Sequence, residues 1–299
     1  MTPANPGVII LGAEARPEEI EAVNKELGLD QPFLTRYFKF VGDAVRGDFG
    51  YSYYSKRDVL SEVTRRLPNT LTLTLASIVL AIVVGLPLGV ICAVKQYSAA
   101  DNILSSIAMF MGAMPAFWLS MLLMLLFSLK LSLLPSSGIT AGWKSWILPI
   151  ITLSMPYIGV YLRYSRSSML DTIRQDYVNT ARSKGNTEKV VIIKHALRNA
   201  LMPLVTITGL FVGTLMSSAV VVESVFSIPG LGLLVLDSIK RKDIPLVMGC
   251  IVFLATIFML ITLIMDVVYA YIDPRIKSMY LSANVKKAKK NKPIQGGVQ

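Results

Sequence analysis

Five long apolar stretches alternate along this chain with short segments that carry most of its charge. They cover residues 70–94, 103–129, 146–162, 201–226 and 246–271. Most match or exceed the roughly 20 apolar residues that a helix needs to cross a bilayer. The first opens as Thr70-Leu71-Thr72-Leu73-Thr74-Leu75, a period of two that in isolation argues for a strand. Its length and apolar character override that signal, because a helix satisfies its backbone hydrogen bonds within one spanning segment. Gly85, Pro87 and Gly89 predict a kink or a close helix contact in this span, and Pro115 falls near the middle of the second. The third is short and is expected to be interrupted at Pro149 and Pro156, as helices are where they line a cavity or pack inside protein. Gly209 and Gly213 in the fourth stand at GxxxG spacing, followed by Ser217, a face that admits tight helix contact.

Residues 1–69 carry shorter periodicities. Pro17-Glu18-Glu19 puts proline at a first helical position with acids in the first turn, and Gly28 ends that helix. Pro32 opens a second, with Phe33, Tyr37, Phe40 and Ala44 along one side and Gly47 as its stop. A third begins near Ser55 with Asp58 in the capping position, shows Val59, Leu60, Val63 and Leu67, and is expected to stop before Pro68. Such amphipathic helices suit either a membrane surface or a small packed cap.

The polar segment 176–203 has an internal layout of its own. Val178, Ala181 and Arg182 lie at helical spacing, and Gly185 stands where a residue of positive φ closes a helix. A second helical pattern, Val190, Val191, Ile193, Lys194, Leu197 and Leu201, resumes before Pro203. Arg182, Lys184, Lys189, Lys194 and Arg198 outweigh Asp176 and Glu188. Helix, turn and helix held under a membrane make a docking surface.

Composition fixes the class. Of 299 residues, 53% are hydrophobic and 16% charged, against about a quarter charged in a soluble domain. The net charge of +11 sits in loops and a tail beside apolar runs, where retention of Lys and Arg on the cytoplasmic side explains it better than nucleic-acid binding. The segment 176–203 and the tail are therefore expected in the cytoplasm, although Lys240, Arg241 and Lys242 run against the rule. Five spans then place residues 1–69 on the opposite side. The run Lys286-Lys287-Ala288-Lys289-Lys290 suits a tail lying near anionic lipid. Cys92 and Cys250 fall in apolar runs and read as small buried hydrophobes. His195 has no neighbouring Cys or carboxylate for a metal site. The sequence shows no Walker A pattern and no nucleophile–histidine arrangement, so neither enzymatic activity nor a cofactor is expected of this chain by itself. Asp266, in the last span, is the residue on which a self-contained secondary transporter would rely. Glu223 lies near the outer end of the fourth span.

The polar segment resembles the cytoplasmic loop of the membrane-spanning subunits of binding-protein-dependent ABC importers. The general pattern of that loop is Glu-Ala-Ala, three residues and Gly; here Asn179-Thr180-Ala181 and Gly185 hold those places, with Asn179 in place of Glu. The form Thr180-Ala181-Arg182-Ser183-Lys184-Gly185, followed by His195-Ala196-Leu197-Arg198-Asn199-Ala200 and Pro203, is similar to the peptide-importer branch. Leu27-Gly28-Leu29-Asp30, Gly47-Asp48-Phe49-Gly50-Tyr51-Ser52, Pro229-Gly230-Leu231-Gly232 and Asp273-Pro274-Arg275 also fit it.

The resemblance implies an all-α, polytopic inner-membrane permease fold with five spans in this chain and a sixth preceding Met1. It divides the chain into an extracytoplasmic segment (1–69), a permease domain (70–277) with a coupling loop near 164–200, and a basic cytoplasmic tail (278–299). The implied partners are a sister permease, two ATP-binding subunits, an extracytoplasmic substrate-binding protein and membrane lipid. Asn179, Thr180, Ala181, Arg182, Lys184 and Gly185 would couple to the ATPase. The cargo implied is di- or oligopeptides, with nickel or glutathione as the alternatives in the same branch. On the less apolar faces of the spans, Thr74, Ser154, Thr206 and Ser217, with Ser77, Thr208 and Ser218, are candidates for the translocation path, against the structural reading in which each hydroxyl bonds its own helix backbone. A secondary transporter using Asp266, or a membrane scaffold without flux, are the readings from other classes.

Overall fold

Three short helices, α1 (Pro6–Leu11), α2 (Pro17–Glu26) and α3 (Phe33–Val45), precede the apolar part of the chain in the computed structural model, which describes residues 5–12 and 14–272. Pro17 and the acids Glu18 and Glu19 open α2 as expected, and Gly28 (φ 69°) and Gly47 (φ 85°) follow the ends of α2 and α3. The sequence pattern gave no sign of α1. The Gly7 N–H donates to Asn5 Oδ1 at 3.0 Å and Asn24 Oδ1 at 2.9 Å, tying α1 to α2.

The next helix, α4 (Val59–Val94), starts at the expected cap, where the Ser61 N–H donates to Asp58 Oδ2 at 2.8 Å. It does not stop at Pro68. One continuous helix joins the third amphipathic segment to the first span and passes through Pro87 as well. An interior proline costs about 3 kcal/mol, and packing on both sides of Pro68 offsets it. Val59 and Val63 lie in a buried cluster with Leu231, Leu234, Leu246 and Cys250, and Leu73 lies in the main core.

The second apolar run is two helices, α5 (Ala99–Ala113) and α6 (Ala116–Leu123), bent by 103° at Met114-Pro115; α6 runs on as a π-helix over Met124–Lys130. The third shows the opposite outcome. Instead of a short interrupted span ending near Leu162, α7 (Lys144–Ile173) is continuous through Pro149 and Pro156. Its neighbours hold it. Gly85 and Gly89 of α4 sit where a Cβ would run into Ile158 and Ser165, and Gly159 of α7 sits equally close to the backbone of Ala108.

The polar loop forms α8 (Asp176–Ser183), α9 (Glu188–Val190) and a π-helical turn, Val191–Leu197, leading into α10 (Arg198–Phe226). A short helix absent from the sequence reading, α11 (Leu231–Lys240), precedes α12 (Ile244–Ile272). Among the described residues four helices are long and apolar enough to cross a membrane, or five if the bent α5–α6 pair counts as one span. The core lies among α4, α7 and α10, around Leu73, Leu153, Tyr161, Leu215 and Phe226. The GxxxG pair is used within the chain: a Cβ on Gly213 would strike the Phe258 ring, and one on Gly209 would come 3.1 Å from Met265, both on α12. The Asp266 side chain, Asp273-Pro274-Arg275, the tail 278–299 with its lysine run, and Met1 lie outside the described residues.

Candidate functional site

The polar loop has a packed face and an open face. Val178, Ala181 and Val191 form a small buried cluster that seats α8 on the π-helical turn. Ile192, Ala196 and Ala200 pack on Ala93 of α4 and Met169 of α7, and the Ser168 hydroxyl donates to the Ala200 carbonyl at 2.8 Å. The small residues of the His195-Ala196-Leu197 and Asn199-Ala200 motifs therefore bring the loop's second helix close to the ends of two spans. The π-turn there widens the helix, a distortion that favours functional positions.

At the turn, Gly185 takes φ 78° and its N–H donates to the Arg182 carbonyl at 2.9 Å. A Cβ at Gly185 would meet nothing within 4 Å, so within the chain the glycine serves the backbone angle. Arg182 is engaged internally. Its guanidinium donates to both Glu188 oxygens, at 3.2 and 2.9 Å, and to Asn179 Oδ1 at 3.1 Å. The Glu188 carboxylate pushes the Arg182 guanidinium further above its already high range, so the clasp stays charged. Of the coupling candidates, Ala181 is buried and Arg182 half-buried, while Asn179, Thr180, Lys184 and Gly185 are exposed. The Thr180 hydroxyl donates to the Asp176 carbonyl at 3.0 Å.

One level into the bundle, Arg166 of α7 clamps Asp101 of α5 with two hydrogen bonds, Nε to Oδ1 at 2.6 Å and Nη2 to Oδ2 at 2.8 Å. Asp101 also accepts the Tyr97 N–H at 2.9 Å. At the other end of the bundle, Glu223 is fully buried. Its carboxyl accepts the Thr70 hydroxyl at 2.6 Å and the Leu233 N–H at 3.0 Å, capping α11 from outside its own helix. A side chain on Gly230 would collide with that carboxyl, and one on Gly232 would come within 2.9 Å of it, which gives the Pro229-Gly230-Leu231-Gly232 motif its physical reason. Asp243 accepts the Ser52 hydroxyl and the N–H groups of Tyr53 (3.1 Å) and Tyr54 (3.3 Å), fastening the segment before α4 to the start of α12.

The path candidates do not converge. Thr206 and Ser217 are exposed on one face of α10, three turns apart. Thr74 and Ser154 are buried in the packed interior: the Ser154 hydroxyl donates to the Ile151 carbonyl at 3.1 Å, and the Thr74 hydroxyl has no partner among the described residues. Ser77 is buried and faces the Ile150 carbonyl at 3.4 Å, and Ser218 is half-buried. Thr208 accepts the Tyr161 hydroxyl at 2.8 Å. What sequence reading missed is an aromatic cluster. Tyr157, Tyr161 and Tyr164 of α7 meet Phe211 of α10 edge-on, with centroids 5.5, 5.7 and 6.4 Å apart. The tyrosines' i, i+4, i+7 spacing was the available signal.

A bundle of apolar helices with a helix–turn–helix loop seated on the ends of its spans defines a polytopic membrane protein. Residues 85–278 match the family described as the binding-protein-dependent transport system inner membrane component, and residues 1–74 match the N-terminal family of the same membrane component. The chain belongs to this family, as an inner-membrane permease subunit of a binding-protein-dependent ABC importer of the glutathione and peptide branch. It is 42% identical over 277 residues to the glutathione transport system permease protein GsiC of Escherichia coli (strain K12), covering 93% of this chain and 90% of that protein. The protein of that name from Shigella flexneri serotype 5b is 41% identical over the same length. In fold it is similar to inward-facing structures of the MetNI methionine ABC transporter, with TM-scores of 0.59 and 0.58 at 20% and 21% identity, over 70% and 71% of this chain and 95% and 96% of the matched chains. These relatives are transport components, and the chain is a transporter subunit and not itself an enzyme.

Proposed function

We propose that this subunit forms one half of the path through which di- or oligopeptides, glutathione among them, enter the cell, driven by ATP hydrolysis in two separate subunits docked on the 176–203 loop. The observation that carries the docking is the loop's two-sidedness. Its inner face is seated on the ends of α4 and α7, while Asn179, Thr180, Lys184 and Gly185 face outward. A push on the outer face would pass to the spans as a rigid-body motion. In this reading a sister permease supplies the other half of the path, and an extracytoplasmic binding protein delivers the cargo to the end of the bundle where Glu223 and Asp243 lie. Residues 1–69 belong to that outer end, 70–277 form the permease domain, and 278–299 form a basic tail on the cytoplasmic side with the C-terminus. The exposed apolar residues of α3, Phe33, Leu34, Tyr37 and Phe38, suit the membrane surface there. The relatives' name favours peptides over nickel, since glutathione is itself a small peptide. Thr206 and Ser217 remain path candidates on the open side of α10.

The test is reconstitution of the complex in proteoliposomes with labelled dipeptide, glutathione and Ni²⁺ offered in turn. Wild type is expected to take up the peptides on ATP addition. Gly185→Pro should abolish that uptake and the stimulation of ATP hydrolysis by the binding protein, while the permease still assembles in the membrane. Undiminished uptake in Gly185→Pro would sink the docking reading and return attention to Asp266.

A further inference from the structure

On α7, between the side that meets α5 and the side that meets α10, a strip of the span stays open. Pro156, Tyr157, Val160, Arg163, Tyr164 and Ser167 are exposed or half-buried there. Arg163 is the unexplained member. Placing a guanidinium inside a span is costly, and such a side chain ordinarily faces an anionic partner or a water-filled path. Arg166, one turn on, has Asp101. Arg163 has no carboxylate within ion-pair distance and no hydrogen bond among the described residues.

Arg163 also does not reach back to the headgroups at the loop end. A Cβ on Gly112 would lie 3.7 Å from Arg163 Nη1. Gly112 is three turns of α5 beyond Asp101, ~16 Å at 1.5 Å per residue. The side chain therefore points along the span, away from the Asp101–Arg166 level. Across the open strip, on the side of α7 that meets α10, Tyr157 and Tyr164 lean on Phe211, with the Tyr157 hydroxyl donating to Thr214 Oγ1 at 3.1 Å on the exposed surface.

We propose that Arg163, on the same open strip of α7 as Tyr157 and Tyr164, is a carboxylate-binding subsite of the translocation path that receives the C-terminal carboxylate of a passing peptide. The inference rests on the peptide reading above. A guanidinium presents two parallel N–H donors to a carboxylate, a match that an ammonium reproduces only in charge. The tyrosine rings supply flat, partly polar surface for the peptide behind it. A single exposed site of this kind holds cargo weakly enough for release, as conduction requires.

The experiment uses the complete complex in proteoliposomes, with sister permease, ATPase subunits and binding protein. Uptake of a dipeptide with a free C-terminal carboxylate is compared with uptake of its C-terminal amide, in wild type and in Arg163→Gln. The binding protein's own preference enters both acid-to-amide ratios and cancels when one is divided by the other. Arg163→Gln is expected to lower the ratio roughly tenfold, Arg163→Lys to restore part of it, and binding-protein-stimulated ATP hydrolysis to persist. An unchanged ratio overturns the subsite. Equal loss of both substrates together with complex assembly also overturns it, because the partner of Arg163 is then a carboxylate of the sister permease. A loss that tracks the anionic lipid content for both peptides overturns it in favour of a headgroup phosphate. A wild-type complex that takes up neither peptide fails one step earlier: it overturns the peptide reading, and this subsite with it.

Discussion

At the α11 end of the bundle, two acids are enclosed; at the loop end, the outermost pair is left open. Glu223 is fully buried, held by the Thr70 hydroxyl and the start of α11, and Asp243 is almost as covered, with three donors from Ser52, Tyr53 and Tyr54. At the loop end, the side chains of Arg182 and Glu188 are 34% and 59% exposed. The Asp101–Arg166 pair lies between these extremes, its carboxylate covered and its guanidinium 27% exposed. An enclosed acid whose donors have no alternative partner holds its neighbours in one arrangement, because any movement leaves buried polar groups unpaired. An open ion pair contributes little to stability but shapes a turn at low cost, leaving the turn's outer face free for a partner to grip. The molecule is thus fixed at one end and adaptable at the other, with α7 and α10 running between them.

The largest effect is expected where enclosure is complete. Glu223→Ala strips a partner from the Thr70 hydroxyl and from the first N–H groups of α11, and should destabilise the subunit by about 3 kcal/mol or more. Glu223→Gln, which keeps the shape, should cost about half as much. Thermal denaturation of the solubilised complex reads both, and a wild-type midpoint for Glu223→Ala would mean that α11 is not held by this carboxyl. Next comes the Asp101–Arg166 clamp. Asp101→Asn and Arg166→Gln should each cost about 2 kcal/mol, with the double variant costing clearly less than their sum. Additive losses would show that the two side chains do not act as a pair.

Smaller still is the backbone effect at the turn. Gly185→Val forces a branched side chain to φ 78° in open space, a local strain of about 1–2 kcal/mol. Faster amide exchange confined to α8 and the turn is expected, with Gly185→Asn showing roughly half the effect because asparagine tolerates that region. Exchange that spreads into α7 and α10 would contradict the separation of the two ends. The smallest change in stability is expected from Lys184→Gln, within about 0.5 kcal/mol of wild type. Its signature lies elsewhere: a few-fold weaker retention of ATPase subunits on purification, narrowing as salt is raised. Equal retention at every ionic strength would remove Lys184 from the docking surface.

Legibility in the sequence followed the range of the interaction involved. Asp58 as a cap, Gly28, Gly47 and Gly185 as helix stops, and the five apolar runs were all readable because each signal lies within a few residues of its effect. The prolines were not. Pro115 breaks its run by 103°, while Pro149 and Pro156 sit inside a continuous α7, although all three look alike locally. The difference lies in what surrounds them: α7 is gripped along its length by α4, where Gly85 and Gly89 allow close approach.

The same holds for chemistry. Arg166 and Asp101 are 65 positions apart, Glu223 and Thr70 are 153 apart, and no local pattern joins either pair. By itself the sequence determined that the chain is helical, embedded in a membrane and furnished with a helix–turn–helix loop at one face, since hydropathy, helical periodicity and glycine's tolerance of positive φ act over a single turn. Only the tertiary structure decided which prolines bend, that the Gly209–Gly213 face meets α12, which acids are enclosed, and that Arg163 has no partner among the described residues, because each of these depends on which distant residue the packed helices bring alongside.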